Sequence, residues 1–204
     1  MLVKHNIDST VILHDIEELV LKPIILRVNK FSEAASKQFA IDMSDAHNTG
    51  QKIIPVVVDS GGGCVYTLLS MIDMISRAKL PIATIVEGKA MSCGAVLASC
   101  GTAGHRYIGP KATMMIHDVS SDVWGKTEDV KADAKESERL NQLLYSVLDE
   151  NADKESGYFW NLVKENNRAD LYLSAEQVVE HSLADTVGIP TLTTTISVKQ
   201  KLSI

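Results

Sequence analysis

Short apolar runs and segments of helical periodicity alternate along the chain. Two of the runs, Ile53–Val58 and Pro81–Val86, are rich in β-branched residues and have the length of buried strands. Each leads into a turn of small residues, and the segments that follow, Val65–Arg77 and Gly94–Cys100, have the apolar composition of buried helices. This order of strand, turn, helix, strand, turn and helix predicts an α/β fold with right-handed crossovers.

The flanking segments extend this architecture. Upstream, we predict a short helix over 15–21, a strand over Pro23–Val28 and a helix that Ser32 caps and that runs to His47. Downstream, we predict strands at Tyr107–Ile108, Thr113–Ile116 and Leu171–Leu173, and a helix that follows a cap at Ser174 and runs to Leu183.

A long charged segment, Thr127–Asn151, separates two of these predicted strands. Its apolar residues recur on one helical face, at Leu140, Leu143, Leu144, Val147 and Leu148. The pattern predicts a long amphipathic helix that projects from the core or flanks it. We divide the chain into an arm over 1–14, one domain over 15–190 and a tail over 191–204.

Composition and charge exclude several classes of function. A net charge of −6 without any cluster of Lys or Arg argues against nucleic acids and anionic membranes as partners. The apolar runs are shorter than the roughly 20 residues of a membrane-spanning helix, and the first residues lack the apolar core of a signal peptide. Three cysteines, Cys64, Cys93 and Cys100, form no CxxC pair. We therefore expect neither disulfides nor a metal site, and a cytoplasmic location.

Ser92 is the first residue that suggests chemistry. It lies between a predicted strand and a predicted helix among small neighbours, where unpaired N–H groups at the helix start can stabilise an oxyanion. The glycines of Ser60–Gly63 follow the preceding strand, and in an α/β sheet both turns open at the carboxyl ends of the strands. Considered alone, Ser92 is more simply interpreted as an N-cap, and the glycines fit a tight turn equally well.

His117 and Asp170 are weaker candidates on spacing alone. His117 ends a predicted strand, and Asp170 directly precedes another. A histidine and a carboxylate at such positions can activate a serine, but six histidines and 26 acidic residues offer many alternatives. The residues alone therefore do not decide whether Ser92, His117 and Asp170 form a Ser-His-Asp triad.

Four blocks of the sequence, in order, resemble the proteolytic subunit of the Clp protease. Val58–Gly63 (VDSGGG) resembles that family's strand ending in Asn-Ser-Pro-Gly-Gly, and Val86–Ala95 (VEGKAMSCGA) resembles its nucleophile turn, Gly-x-Ala-Ala-Ser-Met-Gly-Ala. Arg106–His117 resembles Arg-Tyr-x-x-Pro leading into Met-Ile-His, and Arg168–Asp185 resembles a later family block. The resemblance extends from about residue 15 to residue 188.

The resemblance implies a serine endopeptidase with Ser92 as nucleophile, His117 as general base and Asp170 orienting the histidine. It implies an oxyanion hole made by the amides of Gly63 and Cys93, and no metal or organic cofactor, ATP being used only by a partner unfoldase. The implied fold is similar to the crotonase superfamily. A protruding handle would lie at about 120–155, and two stacked heptameric rings would enclose the active sites around unfolded proteins or peptides.

The chain departs from the family where partner ATPases dock. Pro55 and Val57 occupy strand positions that usually carry tyrosines, and Arg77 occupies a helix position that is often aromatic. These differences argue against docking of a standard AAA+ unfoldase, and they suit a phage-encoded or specialised paralogue.

Four alternatives stay open at this point. A phage head-maturation protease can share the fold and the triad, and a crotonase-fold acyl-CoA enzyme uses backbone amides without a Ser-His pair. Lys89, three positions before Ser92, suggests a Ser-Lys signal-peptide peptidase. The fourth alternative is a catalytically dormant ring subunit.

Overall fold

A computed structural model describes residues 23–193 together with two short strands near the amino terminus. These strands, β1 (Lys4–His5) and β2 (Val11–Ile12), pair antiparallel, with Lys4 opposite Ile12. The helix predicted over 15–21 lies outside the described residues, as does the tail beyond residue 193.

The centre of the described chain is a seven-stranded, mostly parallel sheet. Its strands are β3 (Leu26–Val28), β4 (Ile54–Ser60), β5 (Ile82–Met91), β6 (Arg106–Ile108), β7 (Thr113–Ile116), β8 (Leu171–Ser174) and β9 (Thr186–Val187). The parallel order is β3-β4-β5-β6-β9, while β7 pairs parallel with β5 and antiparallel with β8. The predicted α/β class is therefore confirmed.

Strand β5 is longer than predicted and pairs with two different neighbours on one side. Its first half pairs with β6, where Thr84 is opposite Arg106, and its second half pairs with β7, where Met91 is opposite Met115. The prediction that a turn begins at Gly88 is therefore wrong. Small residues there suggested a turn, but their backbone groups pair with a strand distant in sequence, which composition cannot show.

Six helices accompany the sheet in the described chain. They are α1 (Glu33–Asn48), α2 (Val65–Ser76), α3 (Cys93–Ser99), α4 (Thr127–Asn151), α5 (Tyr158–Glu165) and α6 (Ala175–Glu180). Both predicted caps are present: Ser32 Oγ accepts from the Ala35 N–H, and Ser174 forms a capping box with Gln177.

Besides β1 and β2, which lie in the predicted arm, two elements were not predicted, and one helix ends early. Helix α5 was missed because it is short, with eight residues, and only Phe159 and Val163 of it are fully buried; β9 was missed because it is two residues long. Helix α6 ends at Glu180 because a Schellman motif follows, with Ser182 at φ 63° and the Leu183 N–H donating to the Val178 carbonyl at 2.9 Å.

The buried guanidinium of Arg106 joins the sheet to two helices. It donates to both carboxylate oxygens of Asp185 and to the carbonyls of Asn151 and Ser182, at the ends of α4 and α6. Burial favours the neutral form of Asp185, but the hydrogen bonds and charge of Arg106 outweigh it and hold the pKa of that carboxyl below its ordinary value. The carboxyl end of α4 is thereby fixed to β6.

Helix α4 has the predicted bounds and is packed along only part of its length. Leu140, Tyr145 and Leu148 are buried, whereas residues 127–132 are all exposed. The helix packs against α3 and α5, and its buried residues all lie in its second half. Within the described residues, no helix combines the length and apolar character needed to cross a membrane.

Candidate active site

Ser92 joins the end of β5 to the start of α3 in a strained conformation. Its φ of 55° and ψ of −122° lie in a region that non-glycine residues rarely adopt, at a typical cost of about 1–3 kcal/mol. A hydrogen bond from its N–H to the Met115 carbonyl, at 2.8 Å, holds it there. Ser92 occupies the N-cap position of α3, but its side chain makes no capping hydrogen bond. The hydroxyl is thus directed elsewhere.

His117 is the residue that the Ser92 hydroxyl contacts. Because β7 pairs with the second half of β5, the residue after Ile116 lies beside the turn that contains Ser92. The distance between His117 Nε2 and Ser92 Oγ is 2.9 Å. With Nε2 unprotonated, the serine hydroxyl donates to it, which is the arrangement that activates a serine nucleophile.

Asp170 lies on the other side of the same imidazole. The antiparallel pairing of β7 with β8 ends with Ile116 opposite Leu171, so His117 and Asp170 occupy the next facing positions. Asp170 Oδ1 is 3.2 Å from His117 Nδ1. A carboxylate there favours a proton on Nδ1 and leaves Nε2 free to accept. The structure therefore brings the three residues predicted from the sequence into one connected row.

The glycine loop after β4 packs directly against Ser92. Gly62, at φ 101°, donates its N–H to Ser60 Oγ at 3.1 Å, and a Cβ on Gly62 would lie 2.9 Å from the Cβ of Ser92. Gly63 is at φ 146°, where a Cβ would lie 2.5 Å from the Phe31 carbonyl oxygen. Both positions therefore require glycine, for conformation and for space.

Two backbone amides lie in the segments next to Ser92: Gly63 lines the same cavity as Ser92, and Cys93 follows it in sequence. The hydrogen bonds that tie the glycine loop to Phe31 use the Gly62 carbonyl and the Cys64 N–H, and neither involves the Gly63 N–H. Cys93 is the first residue of α3, so its N–H has no acceptor within the helix. Both N–H groups belong to residues that adjoin Ser92 in space or in sequence.

The Cys93 side chain links the two sides of this arrangement. Its thiol is buried and donates to the Gly63 carbonyl at 3.3 Å. Burial raises the pKa of the Cys93 thiol to about 11, which keeps it protonated and unreactive at neutral pH. The thiol therefore acts as a donor that holds Gly63 beside the start of α3.

The sequence matches the Clp protease family over residues 9–190 of its 204. The chain belongs to the Clp protease family. The matched range includes every element described above as contributing to the site, from the glycine loop to β8. Membership of the Clp protease family supports a peptidase, a hydrolase of peptide bonds.

A small, mainly apolar cavity of about 50 Å³ lies beside Ser92 and His117 in this Clp protease chain. Its apolar lining comes from α2, α3, β7, the loop after β7 and α4: Val65, Val96, Ile116, Val119, Leu144, Tyr145 and Leu148. Several of these residues lie in helices predicted from the sequence, but the sequence indicates no role for any of them in the site. Helical periodicity identifies an apolar face, and only the tertiary fold shows that this face lines a pocket.

Lys89, the alternative catalytic base, points to a different partner. Its ammonium pairs with Asp59 Oδ1 at 3.1 Å, and both side chains are about half exposed. The partner of the Ser92 hydroxyl is His117 instead. The geometry thus favours a histidine base over a lysine base in this Clp protease.

Proposed function

We propose that this Clp protease family member is a serine endopeptidase that cleaves peptides and unfolded proteins. In this proposal Ser92 is the nucleophile, His117 is the general base and Asp170 orients His117. The observation that carries it is the continuous row from Ser92 Oγ to His117 Nε2 at 2.9 Å and from His117 Nδ1 to Asp170 at 3.2 Å. The strained backbone of Ser92 gives it the sharp strand-to-helix turn that exposes a nucleophile.

The first half of the reaction is acylation. Ser92 Oγ attacks the carbonyl carbon of the scissile peptide bond while its proton passes to His117 Nε2, and Asp170 stabilises the imidazolium that forms. The carbonyl oxygen becomes an oxyanion, which accepts hydrogen bonds from the N–H groups of Gly63 and Cys93. His117 then gives the proton to the leaving amine as the C–N bond breaks, which leaves an ester on Ser92.

The second half returns the enzyme to its starting state. A water molecule gives a proton to His117 and attacks the ester carbonyl through a second oxyanion. Collapse of this intermediate releases the carboxylic acid, and the proton on His117 returns to Ser92 Oγ. Every proton is held by a group of the chain, so the proposed reaction uses no metal or organic cofactor.

The cavity beside Ser92 predicts which residue precedes the cleaved bond. Its apolar lining suits an apolar side chain, whereas a charged side chain would lose its hydration without gaining a partner. Burying a leucine side chain typically contributes about 1.5–3 kcal/mol, so we expect kcat/KM for a peptide with leucine at this position to exceed that for aspartate by about 10- to 100-fold. Hydrolysis of a matched series of fluorogenic peptides measures this ratio.

The series consists of three peptides that differ only in the residue before the cleaved bond, which is leucine, lysine or aspartate. Because the rest of the peptide is constant, a difference in rate reports on this residue alone. Cleavage of the leucine peptide alone, at the predicted bond, supports the proposal. Cleavage of all three at similar rates would contradict the assignment of the cavity, and cleavage of none would contradict the proposed activity.

Assembly into two stacked heptameric rings is part of the proposal. The support in this chain is an exposed apolar group where the handle begins: Trp124 is fully exposed, and Val123 and Val130 are more than one-third exposed. A group of exposed apolar side chains, unlike a single one, is a feature of protein–protein interfaces.

We expect sedimentation velocity to detect a species of ring size, and Trp124→Ser to shift it toward smaller species because the exposed indole is lost from the contact. Tyr172→Ser, which removes another exposed aromatic side chain on β8, is the matched control. A wild type that sediments as a monomer at every concentration would contradict the proposed chamber.

An unfoldase partner is not required for the chemistry. Pro55 and Val57 line a mainly apolar groove of about 320 Å³ together with Tyr107, whereas Arg77 ends α2 and lies outside its lining. Pro55 and Val57 contribute no aromatic ring to this groove, and we propose that docking of a standard Clp ATPase is weakened there.

The cysteines of the described chain are free thiols, which supports a reducing, cytoplasmic setting for the proposed activity.

A further inference from the structure

Four side chains beside the proposed triad form a closed ring of contacts. Asp118 accepts at Oδ1 from the Tyr145 hydroxyl, at 2.9 Å, and at Oδ2 from Arg168 Nη1, at 2.8 Å. The Arg168 guanidinium lies over the Trp160 ring, 4.4 Å from its centroid. Trp160 completes the ring with an edge-to-face contact to Tyr145, with centroids 5.5 Å apart. The four residues come from four separate segments of the chain.

The ring includes the neighbours of both His117 and Asp170. Asp118 directly follows His117, and Arg168 lies two residues before Asp170. The ladder between β7 and β8 ends with Ile116 opposite Leu171, so it does not itself hold the facing residues beyond that point. The Asp118–Arg168 ion pair is a link between the two chain segments beyond that end.

The backbone before Asp170 has an unusual conformation that delivers Arg168 to this position. Helix α5 ends in a Schellman motif, with Asn167 at φ 55° and the Arg168 N–H donating to the Val163 carbonyl at 3.0 Å. Arg168 itself is also left-handed, at φ 56°. Two consecutive non-glycine residues in this region are uncommon and need support from the surrounding structure. The contacts of Arg168 with Asp118 and Trp160 supply such support.

We propose that Asp118 and Arg168 are positioning residues for peptide hydrolysis, because their ion pair sets the spacing between His117 and Asp170. Tyr145 of α4 and Trp160 of α5 hold this pair in place. The position of the triad therefore depends on these two helices as well. This inference rests on the proposed function, since it concerns the geometry of the proposed triad.

We expect the Asp118–Arg168 ion pair to affect the placement of His117 and Asp170 more than the folding stability of the chain. The side chains of Asp118 and Arg168 are 26% and 45% exposed, and such partly exposed pairs contribute little to folding stability. The distance between His117 Nδ1 and Asp170 Oδ1, 3.2 Å, is already at the long end of the hydrogen-bond range, so any further separation weakens the contact. Misplacement of about 1 Å near reacting groups can lower a rate by about 100-fold. Burial first, and then the hydrogen bond to Asp118, raise the pKa of Tyr145, so its hydroxyl stays a donor throughout the neutral range.

The test is a double-mutant cycle of Asp118→Ala and Arg168→Ala, with the wild-type chain and the leucine peptide. We expect each single variant to lower kcat by about 10-fold with KM within about twofold, and the double variant to lose no more than either single one. Arg168→Lys, which retains the charge, is expected to recover part of the loss. Arg27→Ala removes another exposed arginine–carboxylate pair, with Glu87, and is expected to leave kcat unchanged.

Three kinetic results would overturn this inference while the wild type remains active. They are single variants with wild-type kcat, losses that multiply in the double variant, and a change confined to KM. Thermal unfolding of the same variants tests the structural alternative, because a loss of activity that follows a loss of stability would also overturn it. An inactive wild type would instead refute the proposed function, and with it the triad that this pair would position.

Discussion

Replacing Ser92 by alanine is expected to abolish peptide hydrolysis while the fold is retained. Among the described residues, the Ser92 hydroxyl is the group in contact with His117 Nε2, and in the proposed mechanism it attacks the carbonyl while passing its proton to His117. Removal of a serine nucleophile from such a triad typically lowers kcat by about 10⁴-fold or more, and we expect a loss of that size here. Steady-state hydrolysis of the fluorogenic leucine peptide measures it. KM is expected to change little, since the apolar cavity stays intact.

Ser70→Ala is the matched control for this substitution. Ser70 lies on α2 with an exposed side chain, and its hydroxyl contacts Ser36 rather than any group of the site. Circular dichroism and thermal unfolding establish that both variants are folded. Residual activity of Ser92→Ala above one-tenth of wild type would show that another group attacks the substrate, and the proposed mechanism would be wrong.

Gly63→Ala is expected to have the second largest effect, through the oxyanion hole. An added Cβ would lie 2.5 Å from the Phe31 carbonyl oxygen, so the loop must move, and the Gly63 N–H moves with it. Loss of one oxyanion donor typically lowers kcat by about 100- to 1,000-fold, and we expect a decrease in that range with a smaller change in KM. Single-turnover acylation by an activated ester separates this effect from product release.

Gly61→Ala offers a control in the same loop. A Cβ at Gly61 would have no heavy atom within 4 Å, and its φ lies outside the left-handed region, so alanine fits without strain. We expect its kcat to stay near that of the wild type. A kcat of Gly63→Ala as close to wild type as that of Gly61→Ala would mean that the loop tolerates displacement and that the Gly63 amide is not an oxyanion donor.

Much of the fold could be predicted from local patterns. The bounds of β7 and α4 agree with the prediction, because apolar periodicity and charge define both elements within their own sequence. The extension of β5 to Met91 could not be predicted, because it depends on pairing with β7 across the intervening chain. The two-residue strand β9 carries too little pattern to be recognised and exists through its pairing with β6.

The candidate site also contains residues that the local sequence indicates and residues that only the tertiary fold brings together. Local chemistry marked Ser92 and the glycine loop, because a serine and three glycines at strand ends are unusual in composition. His117 and Asp170 depended on the family resemblance, since what brings them together is the register of β7 against β8. Neither the local chemistry of the sequence nor the family resemblance predicted that Tyr145 and Arg168 contact Asp118. Their partners are in distant segments, and no motif of the sequence joins α4 to the loop before β8.

Covalent labelling of the folded wild type with a fluorophosphonate, followed by peptide mapping, tests most directly whether Ser92 is the nucleophile. Such a reagent reacts with a serine whose hydroxyl is activated by a general base, and it leaves ordinary serines unmodified. We expect one adduct per chain, located on Ser92, and no adduct when the reagent is added to the unfolded chain or to His117→Ala. Absence of an adduct from the assembled wild type, or an adduct on a different residue, would contradict the assignment of Ser92 as the nucleophile.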